Sequence, residues 1–293
     1  MPTSRARSSQ IEVASGREIA IAQYGDLKSK RVLFWFHGTP GGRHQIPPAS
    51  IDAASESGVR IITMDRPGIG QTRPFRYASL AAWPGDLAAI ADALKIDEFH
   101  VGGLSGGGPY ALAAAAQLGS RVQSVLGWGS VAPTRGDSAI AGGLAGFARH
   151  LDFLWSRAEA PLGFVLHRMI QLTNPIAPQA IDAFGHFVAT EADGAFLKRQ
   201  DTKDMFLKDM IEASRGQFRA AIADARLFSR PWGFALAEIE QPVTLMFGDA
   251  DNIVPHAHGE HLAKVLPNAE LVTIPGGGHI SILDELAAYI PKL

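Results

Sequence analysis

The sequence predicts an α/β protein with a mainly parallel, doubly wound sheet of about eight strands and an inserted helical cap. Short apolar runs alternate with helical patterns along most of the chain, and the alternation stops over one long interval. The run Val32-Leu33-Phe34-Trp35-Phe36 is apolar at every position, as expected for a parallel strand that helices cover on both faces. The fold class follows from these two patterns together.

The individual elements can be placed in order along the chain. Alternating apolar and polar residues before and after Ser15-Gly16-Arg17 predict a β-hairpin at the start. After it, apolar runs that end in loops rich in Gly, Asp or Pro predict strands at 32–36, 60–64, 99–102, 122–128, 243–247 and 271–274. Helices are predicted at 79–94, which is rich in Ala and Leu, at 109–118, which is rich in Ala, and at 281–290, which is amphipathic.

Between Pro133 and about Pro231 the chain has only helix-like patterns with scattered aromatic residues. Residues that precede proline disfavour the helical conformation, so Ala132-Pro133 and Arg230-Pro231 are natural joints. We therefore expect a core domain formed by 1–132 and 231–293, with 133–230 inserted as a helical cap. The aromatic residues of this insertion predict a mainly apolar pocket, although packing within the cap explains most of them equally well.

Composition limits the classes of function. The chain has 293 residues, enough for one large domain, and 27 basic against 29 acidic residues leave a formal net charge of −2. No overall field favours polyanions, so nucleic acid is not an expected partner. Cysteine is absent, which excludes disulfides, thiolate metal sites and a cysteine nucleophile. No signal-peptide pattern or apolar run of about 18 residues is present, which favours a cytoplasmic protein with no membrane span.

The strongest local motif is Gly103-Leu104-Ser105-Gly106-Gly107, which lies between a predicted strand and a predicted helix. A serine at such a sharp turn adopts a strained backbone, and its neighbours must be very small for the two backbones to approach. The turn presents the hydroxyl at the positive end of the following helix, where developing negative charge is favoured. Ser105 is therefore the candidate nucleophile.

Two other interpretations of this motif are possible. The serine could simply cap a helix, since a glycine-rich turn alone is not specific. Alternatively, Gly106-x-Gly108-x-x-Ala111 fits the loose form of a dinucleotide-binding fingerprint. The next strand, however, ends at Trp128-Gly129-Ser130 without an acidic residue for a ribose, which disfavours a nucleotide-dependent oxidoreductase.

A serine nucleophile needs a histidine base and a carboxylate that orients the base. Asp249 and Asp251 follow a predicted strand, and His279 follows the last one in Gly276-Gly277-Gly278-His279. The carboxyl ends of parallel strands lie at one edge of a sheet, so these groups can meet Ser105 although they are far away in sequence. The sequence motif alone leaves both aspartates open.

These motifs, with His37-Gly38-Thr39-Pro40-Gly41-Gly42 and Asp65-Arg66-Pro67-Gly68-Ile69-Gly70, resemble the α/β-hydrolase superfamily over nearly the whole chain. The resemblance implies that Asp251 is the acid, with Asp249 as second choice, and that His279 is the base. It also implies that the backbone N–H groups of Thr39 and Gly106 form the oxyanion hole, and that no cofactor is needed. Proline iminopeptidases share two of the motifs, but not the residues that flank Ser105.

Several other polar residues could be taken for functional ones. His37 is interpreted as an organiser of its loop, and Asp65 as a residue that holds a turn. The cluster His256-Ala257-His258-Gly259-Glu260-His261 resembles a metal site, but it is interpreted as the exposed start of a helix after Pro255, and no metal is expected. A possible basic rim for an anionic substrate comprises Arg149, His150, Arg157 and Arg168.

The resulting hypothesis is a serine hydrolase that cleaves carboxylic esters of small to medium apolar molecules through an acyl-enzyme. An aminopeptidase, an amidase or a carbon–carbon bond hydrolase would use the same residues, so the sequence leaves them open. A ligand-binding protein that has kept the fold without catalysis is the alternative from another class. The sequence indicates no oligomeric state.

Overall fold

A single eight-stranded sheet forms the centre of the molecule, seen here in a computed structural model that describes residues 6–135, 139–140, 190–214 and 219–293. The strand order is β1-β2-β4-β3-β5-β6-β7-β8. β1 and β2 are antiparallel, β2 runs antiparallel to β4, and the remaining neighbours are parallel. The strands are β1 (Arg7–Val13), β2 (Arg17–Gly25), β3 (Val32–Phe36), β4 (Arg60–Met64), β5 (Phe99–Leu104), β6 (Val122–Trp128), β7 (Val243–Gly248) and β8 (Ala269–Ile274). The predicted fold class and the amino-terminal hairpin are confirmed.

Helices flank this sheet within the described ranges. They are α1 (Pro48–Ser57), α2 (Pro84–Ala93), α3 (Gly108–Leu118), α4 (Glu191–Lys198), α5 (Gln200–Ser214), α6 (Arg219–Phe228), α7 (Ala257–Val265) and α8 (Leu286–Tyr289). None of them is long and apolar enough to cross a lipid bilayer.

Three helical segments differ from the sequence-based expectation. α1 was not predicted, because PASIDAASES carries a weak apolar stripe and buries only Ser50 and Ala54. The helix expected at 79–94 begins at Pro84, which suits a first helical turn, after a separate 3₁₀ turn at Leu80–Ala82. The helix expected at 281–290 starts as a 3₁₀ helix over Ser281–Glu285 before α8.

Both faces of the sheet are covered by apolar packing. Phe34 and Phe36 belong to a cluster on one face, while Leu33 and Trp35 belong to a second cluster on the other. All five residues of β3 are buried, which explains why that run has no polar position. The central strands are thus rigid supports for the loops that follow them.

Helices α4, α5 and α6 lie within the predicted insertion at 133–230. The boundaries of that insertion stay a prediction. Most of the aromatic residues expected to line a pocket lie outside the described residues, as do Arg149, His150, Arg157 and Arg168. Phe206, on α5, is described and packs edge to face against Phe196 of α4.

Candidate active site

Ser105 lies at the sharp turn between β5 and α3. Its φ of 54° places it in the left-handed region, which non-glycine residues rarely adopt. A Cβ on Gly103 would lie 2.4 Å from the carbonyl carbon of Gly107, and a Cβ on Gly107 would lie 2.2 Å from the Phe36 carbonyl oxygen. Only glycine fits at these two positions, and the tight packing holds the strained serine in place.

His279 and Asp251 form a buried hydrogen-bonded pair in the loops after β8 and β7. His279 Nδ1 lies 2.6 Å from Asp251 Oδ2, and the two residues are 6% and 5% exposed. The other carboxylate oxygen of Asp251 accepts hydrogen bonds from the backbone N–H groups of Ile253 and Val254, at 2.8 and 2.9 Å. These contacts fix the carboxylate, so that Nδ1 of the imidazole carries the proton and Nε2 is left as the basic nitrogen.

The second candidate for the acid has a different role. Asp249 Oδ1 accepts a hydrogen bond from the backbone N–H of Gly276 at 2.7 Å, in an exposed position. This contact ties the loop after β7 to the loop that precedes His279. Of the two aspartates, Asp251 is the one that contacts the imidazole.

The chain segment after β6 connects the serine turn to the histidine. The backbone N–H of Val131 donates to the carbonyl of Ser105 at 3.3 Å. Two residues earlier, a Cβ on Gly129 would lie 3.1 Å from the His279 ring. Ser105 and His279 therefore both contact one short segment, at the same edge of the sheet.

The two predicted oxyanion donors come from loops that touch. A Cβ on Gly106 would lie 2.4 Å from Thr39 Oγ1 and 3.0 Å from the ring of Phe228 on α6. The backbone N–H of Gly38 donates to Gln45 Oε1 at 2.5 Å, which fixes the loop just before Thr39. The Thr39 side chain and the Phe228 ring thus pack against Gly106 on the side to which a Cβ would point.

A buried network under the Thr39 loop was missed by sequence reasoning. Arg66 donates to the carbonyls of His37 and Gly38 at 2.6 and 2.8 Å, and to Thr39 Oγ1 at 2.8 Å. It also forms a salt bridge with Asp224 of α6 at 2.8 Å. Asp65-Arg66-Pro67-Gly68 was interpreted only as a turn motif, so nothing in the sequence indicated that Asp224 is the partner of Arg66.

A second missed residue is Asp193, in the first turn of α4. Its carboxylate accepts hydrogen bonds from the backbone N–H groups of His279, Ile280 and Ser281, at 3.0, 2.9 and 2.8 Å. The pattern Thr190-x-x-Asp193 could have indicated a helix start, and Thr190 Oγ1 does accept from the Asp193 N–H. The long-range contact carries no sequence signal.

His37 is placed as an organiser of its loop. Its Nδ1 lies 2.7 Å from the carbonyl of Gly38. Complete burial, together with the charge of Arg66, holds the pKa of His37 well below its usual value, so the ring is neutral. A neutral ring donates its Nδ1–H to that carbonyl.

Asp65 holds the turn that follows β4. Its carboxylate accepts from the backbone N–H of Arg43 at 2.8 Å and from that of Gln71 at 3.3 Å, and it pairs with the Arg43 guanidinium. Burial raises the pKa of Asp65, and the Arg43 charge opposes that rise. These contacts agree with the predicted structural role.

The histidine cluster near residue 258 makes protein contacts. His258 is fully buried on α7, and its Nδ1 accepts from the backbone N–H of Ala132 at 3.0 Å. His256 Nε2 lies 2.8 Å from Thr273 Oγ1. The described ranges contain no group of three side chains that could hold a metal ion. The expectation that this helix start is exposed was wrong for His258, because its ring packs under the segment after β6.

Comparison with known proteins agrees with the fold and the motifs. A family model described as the alpha/beta hydrolase fold matches residues 31–286. The chain belongs to the α/β-hydrolase family, and the protein is a hydrolase of that family.

Several relatives and structural neighbours match more than nine-tenths of the chain. A proline iminopeptidase of Lactiplantibacillus plantarum is 23% identical over 92% of this chain and 93% of its own. A 2-hydroxy-6-oxononadienedioate/2-hydroxy-6-oxononatrienedioate hydrolase of Paraburkholderia phymatum is 26% identical over 94% of this chain and 91% of its own. The structure of an esterase from Rhodococcus sp. ECU1013 superposes with a TM-score of 0.67 at 21% identity, covering 97% of this chain and 98% of the other. At that identity, the structural likeness shows the fold alone.

Proposed function

We propose that this protein is a serine hydrolase that cleaves carboxylic esters of small to medium apolar molecules through an acyl-enzyme. The observation that carries the proposal is the buried hydrogen bond between Asp251 and His279, next to the strained turn of Ser105. A structural role alone does not require a serine at a φ of 54° or a carboxylate fixed against an imidazole. The catalytic roles of these three residues are part of the proposal.

In the first half of the reaction, Ser105 Oγ attacks the ester carbonyl carbon while His279 Nε2 takes the hydroxyl proton. The carbonyl oxygen becomes an oxyanion, to which the backbone N–H groups of Thr39 and Gly106 donate. One such donor typically stabilises the transition state by about 2.7–4 kcal/mol. Asp251 keeps the imidazole oriented and stabilises its positive charge. The imidazolium then gives its proton to the departing alkoxide, which leaves as an alcohol.

In the second half, water attacks the acyl carbon of the ester on Ser105. His279 Nε2 takes one proton of that water, and the same two N–H groups hold the oxyanion. Collapse of the intermediate releases the carboxylic acid, while the proton returns to Ser105 Oγ. The balance is one ester and one water consumed, with one acid and one alcohol formed.

The choice of an apolar ester has two supports. The ring of Phe228 packs beside Gly106, so an apolar side chain borders the region of the reacting carbonyl. Serine nucleophiles suit acyl transfer, and the structural neighbours include esterases of the same fold, such as the Rhodococcus enzyme.

Hydrolysis of p-nitrophenyl esters of increasing acyl length by the purified protein tests this proposal. We expect turnover that falls by at least about 1,000-fold in Ser105→Ala, since removal of the nucleophile leaves only binding and oxyanion contacts. Ser124→Ala is the matched control, because Ser124 lies within β6 and contacts His100, and it should keep full activity. Equal turnover by the wild type and Ser105→Ala would refute the mechanism.

Aminopeptidase activity is the second candidate, since relatives named as proline iminopeptidases match over 92% of the chain. Release of p-nitroaniline from L-proline p-nitroanilide at a higher kcat/KM than any ester, again lost in Ser105→Ala, would favour it. Stoichiometric labelling of Ser105 by a fluorophosphonate opposes a binding-only protein. No labelling and no turnover would favour that alternative.

A further inference from the structure

Two buried aspartates of the inserted helices contact the loops that carry the proposed catalytic groups. Asp193 on α4 accepts hydrogen bonds from the His279 loop. Asp224 on α6 accepts a hydrogen bond from the Thr39 hydroxyl and forms a salt bridge with Arg66, which also contacts the Thr39 loop. We propose that Asp193 and Asp224 are positioning residues, so that α4 and α6 form part of the framework that holds the catalytic groups in place. The inference rests on the proposed serine-hydrolase function.

Asp193 makes use of both carboxylate oxygens. Oδ2 accepts from the N–H of His279, while Oδ1 accepts from the N–H groups of Ile280 and Ser281. A Cβ on Gly278 would lie 2.2 Å from Thr190 Oγ1 and 2.3 Å from Asp193 Cγ, so the loop is pressed directly onto the start of α4. Three charge-assisted bonds to consecutive residues leave the backbone of His279 little freedom to rotate.

Asp224 accepts hydrogen bonds from three different side chains. Its Oδ2 accepts from the Thr39 hydroxyl at 2.9 Å and from Arg66 Nε at 2.9 Å, and its Oδ1 accepts from the Tyr110 hydroxyl at 2.7 Å. Arg66 in turn holds the carbonyl of His37 and that of Gly38, which shares one planar peptide group with the Thr39 N–H. The orientation of the Thr39 N–H therefore depends on a charge in α6.

The placement of buried carboxylates supports a role beyond stability. A buried carboxylate is costly to desolvate, and packed apolar residues often stabilise a fold equally well. Five of the six buried carboxylates in the described ranges contact residues of the 37–45, 251–254 or 279–281 segments, and one does not. The five are Asp65, Asp193, Asp209, Asp224 and Asp251. The sixth, Asp86, pairs with Arg17 and Tyr77 away from these segments.

Asp86 provides a matched control. It is 3% exposed, close to the 1% of Asp193 and the 4% of Asp224. Both of its carboxylate oxygens bind the Arg17 guanidinium in a bidentate salt bridge. Asp86→Asn should lower the melting temperature without altering catalysis below it. If Asp193 and Asp224 were merely structural, their asparagine variants would behave in the same way.

The experiment measures kcat, KM and melting temperature for Asp193→Asn, Asp224→Asn and Asp86→Asn, at a temperature at which all remain folded. An amide at 193 must turn an N–H group toward a backbone N–H in either orientation, and an amide at 224 leaves the Arg66 charge without a carboxylate. We expect kcat to fall by about 10- to 100-fold in these two variants, with KM within about twofold, because misplacement affects the transition state most. Wild-type kcat in either one would overturn the proposal for that residue.

A second readout separates this proposal from the proposed function. In ¹H–¹⁵N spectra, Asp193→Asn should shift the signals of the His279 backbone N–H and of the ring proton shared with Asp251. Asp224→Asn should shift those of the Thr39 and Gly106 N–H groups, and Asp86→Asn should leave all of them in place. Unchanged signals in the first two variants would overturn the positioning roles even if Ser105→Ala abolishes activity. Shifted signals in a protein that hydrolyses no substrate would support positioning and refute the hydrolase mechanism.

Discussion

At the scale of the residue, the turn at Ser105 depends on the absence of side chains at the flanking glycines. Ser105 is held at a φ of 54° because β5, α3 and the end of β3 approach so closely that a methyl group does not fit at Gly107. The atom in the way is the backbone oxygen of Phe36, which is part of the central sheet. Such an atom cannot move aside as the end of a flexible side chain can.

Gly107→Ala should therefore lower the free energy of unfolding by about 1–3 kcal/mol or more, since the overpacked backbone must shift. The same shift should reduce ester hydrolysis, because it displaces Ser105. Urea denaturation and kcat/KM measure the two effects. Gly85→Ala is the control: it is exposed near the start of α2, with no heavy atom within 4 Å of the added methyl group. We expect the control to be neutral or up to about 1 kcal/mol more stable. A neutral Gly107→Ala would contradict this account of the turn.

At the scale of the element, α5 is joined to the loop after β3 through a cluster of polar and charged groups. Asp209 accepts from the backbone N–H of Gly42 at 2.9 Å and from Gln45 Nε2 at 3.2 Å. Glu212 lies 3.4 Å from Arg43 and 3.6 Å from His44. Burial, with the charges of Asp65 and Glu212, raises the pKa of Asp209 well above its usual value. Protonation events in this cluster therefore affect how α5 packs on the core.

His44 gives the cluster a pH dependence with a definite sign. Its ring faces the Tyr24 hydroxyl, Glu212, Arg43 and Lys208. Burial lowers its pKa to about 4 from 6.5, and the charges of Lys208 and Arg43 add to the effect while Glu212 opposes it. Between these two pH values the unfolded chain binds a proton that the folded chain does not, so stability is lost as the pH falls from 6.5 toward 4.

His44→Gln should remove that part of the pH dependence. We expect the wild type to lose stability relative to the variant as the pH falls through this range, and the difference between them to be constant above pH 7. Urea denaturation of both proteins at intervals of pH measures this difference. Comparing the two proteins cancels the contributions of Asp65 and Asp209, whose raised pKa values act in the opposite direction. Parallel curves down to pH 4 would show that His44 is not buried as a neutral ring.

At the scale of the whole molecule, two fully buried tryptophans pack together on the sheet, and one of them reaches the loop that carries His279. Trp35 of β3 and Trp128 of β6 pack edge to face with ring centroids 6.1 Å apart. Trp128 Nε1 donates to the carbonyl of Ile282 at 3.0 Å, three residues after His279. In the described part of the chain, Trp35 Nε1 has no hydrogen-bond partner. The two tryptophans therefore share a packed core but differ in whether the indole N–H is hydrogen-bonded.

Trp128→Phe should cost more stability than Trp35→Phe by about 1–2 kcal/mol, although both remove the same volume. The first removes the buried hydrogen bond to the Ile282 carbonyl, whereas the second removes only a donor that has no partner in the described part of the chain. Urea denaturation measures both variants, and kcat should fall only in Trp128→Phe because the His279 loop loses a support. Equal costs would show that volume alone determines the effect.

Much of this protein is determined by short stretches of sequence. The apolar run of β3, the alternation in the first hairpin and the glycines around Ser105 each reflect a demand that a few consecutive residues meet by themselves. The sequence also predicts that Asp251 and His279 lie at one edge of the sheet, because each follows the end of a predicted strand. α1 was missed because its weak stripe hardly differs from a loop.

The tertiary structure decided which distant polar groups meet. Asp249 and Asp251 are two residues apart and chemically identical, yet only the backbone path after β7 turns Asp251 toward His279. The contacts of Asp193 with the His279 loop and of Asp224 with Arg66 span 86 and 158 residues. A local sequence pattern determines local geometry, because residues close in sequence are close in space whatever fold the chain adopts. A hydrogen bond between distant segments exists only once the fold has brought them together, so no spacing in the sequence predicts it.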